Sequence, residues 1–274
     1  MLCRKVKHGK MRKITKYGQH FLADKNIADK IVSAIKENFN NDGSLVEIGP
    51  GKGFLTFQLI DAGFKDFTIV EIDEKMVSFL SKNLPRNASI NIVHKNFLDY
   101  IPTDKKITFA GNLPYITASK IIHKAINLEN FYAGVFMVQR EQATRFKAQV
   151  GDKEYGSLSI LTQLKADVKS VCRVSKGCFS PPPKVESEVL LFTRRKDAEN
   201  LFISTAKQQE FEYFIKQIFC YKRKTILNVL SQILKKNKAE ISSILKRAEI
   251  LEDFRPQNIS ILEYVKLFNL IRSL

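Results

Sequence analysis

Gly111-Asn112-Leu113-Pro114-Tyr115 brings together a side-chain carbonyl, a backbone carbonyl ahead of a stiff proline, and a flat ring. That set suits an exocyclic amine on an aromatic base: two acceptors for the two N–H groups and a face on which the base can lie. Asn and Pro are also ordinary turn formers, so the stretch taken alone reads equally well as a turn. A second stretch, Gly49-Pro50-Gly51-Lys52-Gly53, is followed about twenty residues later by Glu71. Glycine admits positive φ and lets backbone approach a ligand closely.

The spacing of the second stretch is G-x-G-x-G, not the dinucleotide pattern G-x-G-x-x-G. This weakens a dehydrogenase and favours an S-adenosyl-L-methionine site, with Glu47 just before the turn and Glu71 placed to accept both ribose hydroxyls. A purely structural turn is the competing reading. Asn96 could reach the adenine of such a cofactor, or simply form an Asx-turn. An adenine amine is a poor nucleophile because its lone pair is delocalised into the ring. The Asn112 side-chain carbonyl and the Leu113 backbone carbonyl would pull it towards tetrahedral geometry, and Tyr115 would stack on the base. Catalysis is then mostly positioning, with no metal and no strong general base. The base must leave any helical stack to reach these groups. Phe179, beside Pro181-Pro182-Pro183, is the candidate second ring, presented at a rim; the alternative is a core Phe.

These residues need elements to hold them. Ile27, Ile31, Ile35 and Phe39 mark a helix that starts near Asp24. Strands are expected at 44–48, 66–70, 89–93, 107–110 and 133–138, with helices at 54–62, 74–83 and about 118–128. Alternating strands and helices predict a parallel, doubly wound α/β sheet, and such sheets bind ligands outside the carboxyl ends of their strands. Asp167–Val174 and Val185–Thr193 read as an antiparallel pair at the sheet edge, joined by a stiff extended proline loop. Beyond Lys196 the apolar residues recur only at helical spacing. We therefore expect two domains: residues 1–195, α/β with a basic N-terminal arm, and residues 196–274, small and all-helical.

Composition narrows the class. The chain has 274 residues, 44% of them hydrophobic, enough for a core but with no run of membrane-helix length. Its basic start lacks the apolar segment of a secretory signal. Cys3, Cys172, Cys178 and Cys220 form no C-x-x-C pair, so free thiols in a reducing cytoplasm are expected, without disulfides or zinc. Lys and Arg number 45 against 28 Asp and Glu, a net charge of +17. The excess is clustered at Arg4–Lys16, Lys222-Arg223-Lys224 and Lys235–Lys238, the footprint of a polyanion partner.

Six motifs, in order along nearly the whole chain, resemble the rRNA adenine dimethyltransferases, nearest the bacterial small-subunit branch. They are Tyr17-Gly18-Gln19-His20-Phe21-Leu22, Glu47-Ile48-Gly49-Pro50-Gly51, Gly111–Tyr115, Tyr155-Gly156-Ser157-Leu158-Ser159, Phe179–Lys184 with Val185-Glu186-Ser187, and Lys222-Arg223-Lys224-Thr225-Ile226. The resemblance implies a Rossmann-like methyltransferase domain with a helical C-terminal domain that binds rRNA, a monomer acting in the cytoplasm. It implies dimethylation of two adjacent adenosines in a hairpin loop near the 3′ end of 16S rRNA, in the small ribosomal subunit or its precursor, with a role in subunit biogenesis. By position, cofactor contacts fall on His20, Leu22, Gly49, Gly51, Glu71, Asn96 and Asn112, and target-base contacts on Asn112, Leu113, Tyr115 and Phe179. The family usually carries Asn at the position of His20 and Asp at that of Asn96; Asp99 stands close enough in sequence to restore the lost charge. The residues after Tyr115, Ile116-Thr117-Ala118-Ser119, also depart from the commonest version. Three rivals share features of this reading: a resistance-type methyltransferase of 23S rRNA, a non-catalytic nucleic-acid-binding relative such as the mitochondrial transcription factors of this fold, and an assembly factor for which methylation is secondary.

Overall fold

The computed structural model describes residues 20–195 and 205–273. The basic arm Arg4–Lys16, the motif residues Tyr17-Gly18-Gln19 and the expected boundary at residue 196 lie outside the described residues. In chain order the elements of the first part are β1 (Phe21–Leu22), α1 (Lys25–Glu37), β2 (Ser44–Ile48), α2 (Phe54–Asp61), β3 (Asp66–Glu71), α3 (Glu74–Asn83), β4 (Ser89–His94), β5 (Ile107–Asn112), α4 (Ala118–Asn127) and β6 (Phe131–Gln139). They continue as α5 (Arg140–Lys147), α6 (Ser157–Gln163), β7 (Ala166–Val174), β8 (Phe179–Ser180) and β9 (Ser187–Arg194). The helical part holds α7 (Thr205–Phe219), α8 (Ile226–Leu234), α9 (Lys238–Ala248) and α10 (Ile261–Arg272).

Seven strands form one sheet in the order β4-β3-β2-β5-β6-β9-β7. The pairs β2–β3, β2–β5, β3–β4 and β5–β6 are parallel, while β9 runs antiparallel to both β6 and β7. The chain winds outward from β2 to β4, then returns to place β5 on the other side of β2. That reversal is the topological switch point, where α/β sheets open a crevice.

Each central strand feeds two cores because successive side chains point to opposite faces. Leu45, Ile69, Ala110 and Val135 join one apolar cluster with Ile27, Ile31 and Ile35 of α1, Leu55 and Leu59 of α2, and Leu80 of α3. Val46, Val70, Phe109 and Phe136 join the other, with Ile121 and Ile122 of α4 and Ala143 and Phe146 of α5. Burial on both faces is why these strands read as continuous apolar runs. Asp24 starts α1 by accepting a hydrogen bond from the Ile27 N–H at 3.2 Å, as an N-cap should.

The antiparallel pair expected at the edge is β7 with β9, where β7 forms the rim of the sheet. Helices α5 and α6 and the two-stranded ribbon of β1 and β8 carry no clear signal in the sequence. In α5 only Ala143 and Phe146 are buried, α6 spans seven residues, and each ribbon strand spans two. A third apolar cluster unites Tyr155, Ile160, Leu161 and Leu164 with residues of α7, α8, α9 and α10, so α6 belongs to the packing of the helical half. Lys222 donates to the carbonyls of Lys153 and Tyr155 and ties the start of the Lys222–Ile226 motif to this α6 region; Lys224 reaches Gln232 at 2.8 Å. Burial lowers the pKa of Lys222 from its ordinary value. Among the described residues no helix is long and apolar enough to cross a membrane.

Candidate active site

A cavity of about 530 Å³ opens at the carboxyl ends of β2, β3 and β5 and beside the turn that follows β4. Its lining includes His20, Leu22, Gly49, Gly51, Glu71, Asn96, Asn112, Leu113 and Tyr115. Residues spread across ninety-six positions of the chain are thereby brought to one crevice, because the register sets Ile48 level with Val70 and Glu71 level with His94.

One wall is made by the glycine turn. Gly49, Gly51 and Gly53 all have positive φ, at 66°, 57° and 79°. At Gly51 a Cβ would also lie 2.9 Å from the Phe21 ring, so both the backbone and the packing demand glycine there. Glu71 closes the same wall. Its carboxylate accepts three backbone N–H groups, from Gly51 at 3.0 Å, Ile72 at 2.8 Å and Asp73 at 2.9 Å. The turn and the acid therefore hold each other in place. Glu47, 2% exposed, accepts from the Thr56 hydroxyl at 2.7 Å. Burial pushes its pKa up to about 8; the Thr56 hydrogen bond opposes the rise and the nearby Glu71 adds to it. Asn96 forms the Asx-turn expected of it and stands at the cavity. Its Oδ1 caps the Leu98 N–H at 3.0 Å in an Asx-turn, and it lines the cavity. A carbonyl oxygen has two lone pairs, so capping leaves one acceptor site. Asp99 does not line the cavity; its charge favours the ammonium of Lys124, whose pKa burial lowers.

The opposite wall is the Asn112 stretch, and β5 can bring it close because residue 111 is glycine: a Cβ there would stand 2.6 Å from the Ile48 carbonyl oxygen. The Asn112 Nδ2 donates to the His20 carbonyl at 3.0 Å. A carbonyl can only accept, so the amide is fixed with its nitrogen on His20 and Oδ1 remains as the acceptor. Tyr115 is held at both ends. Its hydroxyl shares a 2.8 Å hydrogen bond with Ser187 Oγ, and its carbonyl accepts from Gln142 Nε2 at 2.9 Å. Burial raises the Tyr115 pKa and the Ser187 hydrogen bond opposes the rise, so the phenol stays neutral. Neither Ser187 nor Gln142 shows a role in the sequence. Ser187 lies in a quoted motif, whereas nothing marks Gln142, because its partner is a backbone atom 27 positions away.

Phe179 departs from expectation. It is 4% exposed, belongs to the apolar cluster under α1, and does not line the cavity. The reason is local: β8 pairs with β1, matching Phe179 to Leu22, and this turns the ring inward. The proline run instead presents the Pro181 carbonyl, 2.9 Å from His20 Nδ1. The ring facing Tyr115 is His20, with centroids 5.9 Å apart and planes inclined by 26°.

A doubly wound sheet whose switch point carries a glycine turn, a clamped acid and the Asn112 loop is the fold of a Rossmann-like methyltransferase. The matches to known proteins narrow the class. Residues 10–273 match the family described as ribosomal RNA adenine dimethylase. A ribosomal RNA small subunit methyltransferase A of Malacoplasma penetrans is 35% identical, covering 96% of this chain and 93% of its own. One of Mycoplasma mobile is 37% identical, covering 92% and 95%. A crystal structure of a dimethyladenosine transferase from Plasmodium falciparum superposes with a TM-score of 0.75 at 25% identity, over 90% of this chain and 96% of that one. This chain belongs to the ribosomal RNA adenine dimethylase family.

Proposed function

We propose that the protein dimethylates the exocyclic amines of two adjacent adenosines in a hairpin loop near the 3′ end of 16S rRNA, in the small ribosomal subunit or its precursor. The donor is S-adenosyl-L-methionine, which when bound supplies an electrophilic methyl group on a sulfonium sulfur. The cavity suits it. Positive-φ glycines leave a bare backbone face, the buried Glu71 carboxylate lines the cavity in a fixed orientation, and Asn96 offers an acceptor for an adenine amine. His20, Leu22, Gly49, Gly51, Glu71, Asn96 and Asn112 are the residues that would hold it.

The observation that carries the reading is the locked Asn112 amide. Its Oδ1 and the Leu113 carbonyl accept the two N–H groups of the target amine and free the nitrogen lone pair for in-line attack. Tyr115, pinned by Ser187 and Gln142, supplies the face on which the flipped base lies. The methylated nitrogen is acidic and loses its proton to water, so these residues need only position the base. Residues 1–195 would carry this chemistry and residues 196–274 would grip rRNA, as a monomer in the cytoplasm. The names of the relatives in Malacoplasma and Mycoplasma favour the small subunit over 23S rRNA. The test is labelled-methyl transfer to small subunits lacking dimethyladenosine, with large subunits alongside. Label confined to the small subunit is expected; label only in 23S rRNA would transfer the reading to the resistance-type enzymes.

A further inference from the structure

The turn that carries Asn96 is tied to the helix that follows the Asn112 loop. We propose that Lys124 of α4 is a positioning residue for the cofactor: its ammonium fixes the Leu98 carbonyl and so sets Asn96 against the adenine amine of S-adenosyl-L-methionine. The inference rests on the methyltransferase reading above and deepens it, adding a residue that touches neither cofactor nor substrate.

Phe97–Asp99 form a single short turn with Asn96 as its N-cap. Two backbone bonds close it: the Asp99 N–H donates to the Asn96 carbonyl at 2.9 Å, and the Tyr100 N–H to the Phe97 carbonyl at 3.1 Å. The last carbonyls of so short a turn have no partner within it. Leu98 is nevertheless held at both ends. Its N–H donates to Asn96 Oδ1 at 3.0 Å, and its carbonyl accepts from Lys124 Nζ at 2.7 Å. The same ammonium stands 5.4 Å from the centre of the Phe97 ring, a cation–π distance. Phe97 is buried and packs edge-on against Phe109 of β5, with ring centres 5.6 Å apart, so the cation is anchored against the sheet.

The place of Lys124 in the chain gives this contact its meaning. Helix α4 begins where the Asn112 loop ends: the Thr117 and Ala118 N–H groups both donate to the Pro114 carbonyl, at 3.0 and 2.9 Å. Lys124 follows about two helical turns later, one turn beyond Ile121, which lines the cavity. One helix thus starts at the loop that takes the target base and reaches the turn that takes the cofactor adenine. Lys124 itself does not line the cavity, so its effect passes through Leu98 and Asn96. Asn96 needs that support. Its Oδ1 serves two donors, the Leu98 N–H and the cofactor amine, and a neutral amide oxygen holds each more weakly than a carboxylate would. Drift of Leu98 would carry Oδ1 out of line with the adenine.

Affinity for S-adenosyl-L-methionine by calorimetry, and kcat for labelled-methyl transfer at saturating cofactor, separate this role from a general one in folding. Lys124→Met, Lys124→Arg, Asn96→Ala and the double variant Lys124→Met with Asn96→Ala are compared with the wild type. Lys124→Met keeps the apolar stem and loses the cation. It should weaken cofactor binding about tenfold, the loss expected of one charged hydrogen bond, with kcat on small subunits lacking dimethyladenosine within about twofold. Lys124→Arg keeps a cation and should recover most of the affinity. Asn96→Ala should weaken binding at least as much as Lys124→Met, and the double variant should bind no worse than Asn96→Ala alone, because the lysine acts through that asparagine. Full affinity in Lys124→Met or in Asn96→Ala would overturn the proposal and leave the methyltransferase reading standing. A fall in kcat as large as the loss of affinity, or additive losses in the double variant, would do the same. A wild-type protein that binds no S-adenosyl-L-methionine would overturn that reading, and the proposal with it.

Discussion

The glycine wall of the cavity is assembled within residues 47–73, whereas the base wall draws on His20, Asn112, Tyr115, Gln142, Pro181 and Ser187. On the first wall, function follows from backbone conformation: three glycines at positive φ and a carboxylate accepting three backbone N–H groups. On the second, function follows from side chains orientated by partners 27 to 161 positions distant. A wall made of local conformations is rigid as soon as its turn forms. A wall made of remote contacts exists only when the whole sheet and the β1–β8 ribbon are in place.

The contrast can be broken at the base wall first. If Phe179 is a core residue, Phe179→Ala should cost about 3–5 kcal/mol of stability, as buried Phe truncations do. Urea denaturation reads this directly, and an unchanged midpoint would return the ring to the rim. Next is Glu47 on the glycine wall. Its pKa is raised from the ordinary 4.5 to about 8, so the folded state holds a proton that the unfolded chain has released. Its contribution to stability is complete below pH 4.5 and declines as pH rises to about 8, by on the order of 1 kcal/mol per pH unit. Glu47→Gln keeps the acceptor for Thr56 and removes the titration. Melting temperatures across this window should fall for the wild type relative to the variant, and parallel curves would refute the neutral carboxyl.

Gly51→Ala forces a Cβ onto a residue at φ 57° and against Phe21. Strain of about 1–3 kcal/mol should appear as weaker cofactor binding, measured by calorimetry, while the Tyr115–Ser187 contact persists. The smallest effect expected is at Ser187. Loss of one hydrogen bond, about 1 kcal/mol, should lower kcat several-fold in Ser187→Ala. Tyr115→Phe should do the same, and the double variant should do no worse than either alone. Additive losses would mean that the two hydroxyls act separately.

The same contrast explains what the sequence disclosed. The strand–glycine turn–helix–strand–acid unit is local and its periods of 2.0 and 3.6 residues are legible, so the sequence alone puts Gly49, Gly51 and Glu71 at adjacent strand ends. Asn112 and Tyr115 were legible as residue types suited to an amine. Their orientation was not, because it depends on His20, Gln142 and Ser187 across the sheet. Phe179 shows the limit most clearly. Its proline neighbours do make a stiff loop, but a two-residue ribbon too short to leave a pattern turns its ring into the core.

The locked Asn112 amide should orient the amines of paired adenosines in small-subunit rRNA for methyl transfer from S-adenosyl-L-methionine. Small subunits lacking dimethyladenosine should be incubated with S-adenosylmethionine and either the wild type or Asn112→Ala, and their 16S rRNA then digested and sequenced by mass. Two adjacent dimethyladenosines near the 3′ end are expected with the wild type. With Asn112→Ala the rate should fall by about 10²–10³, the cost of removing one preorganised hydrogen-bonding group. Unmodified 16S rRNA after wild-type treatment, or equal modification by the variant, would contradict it.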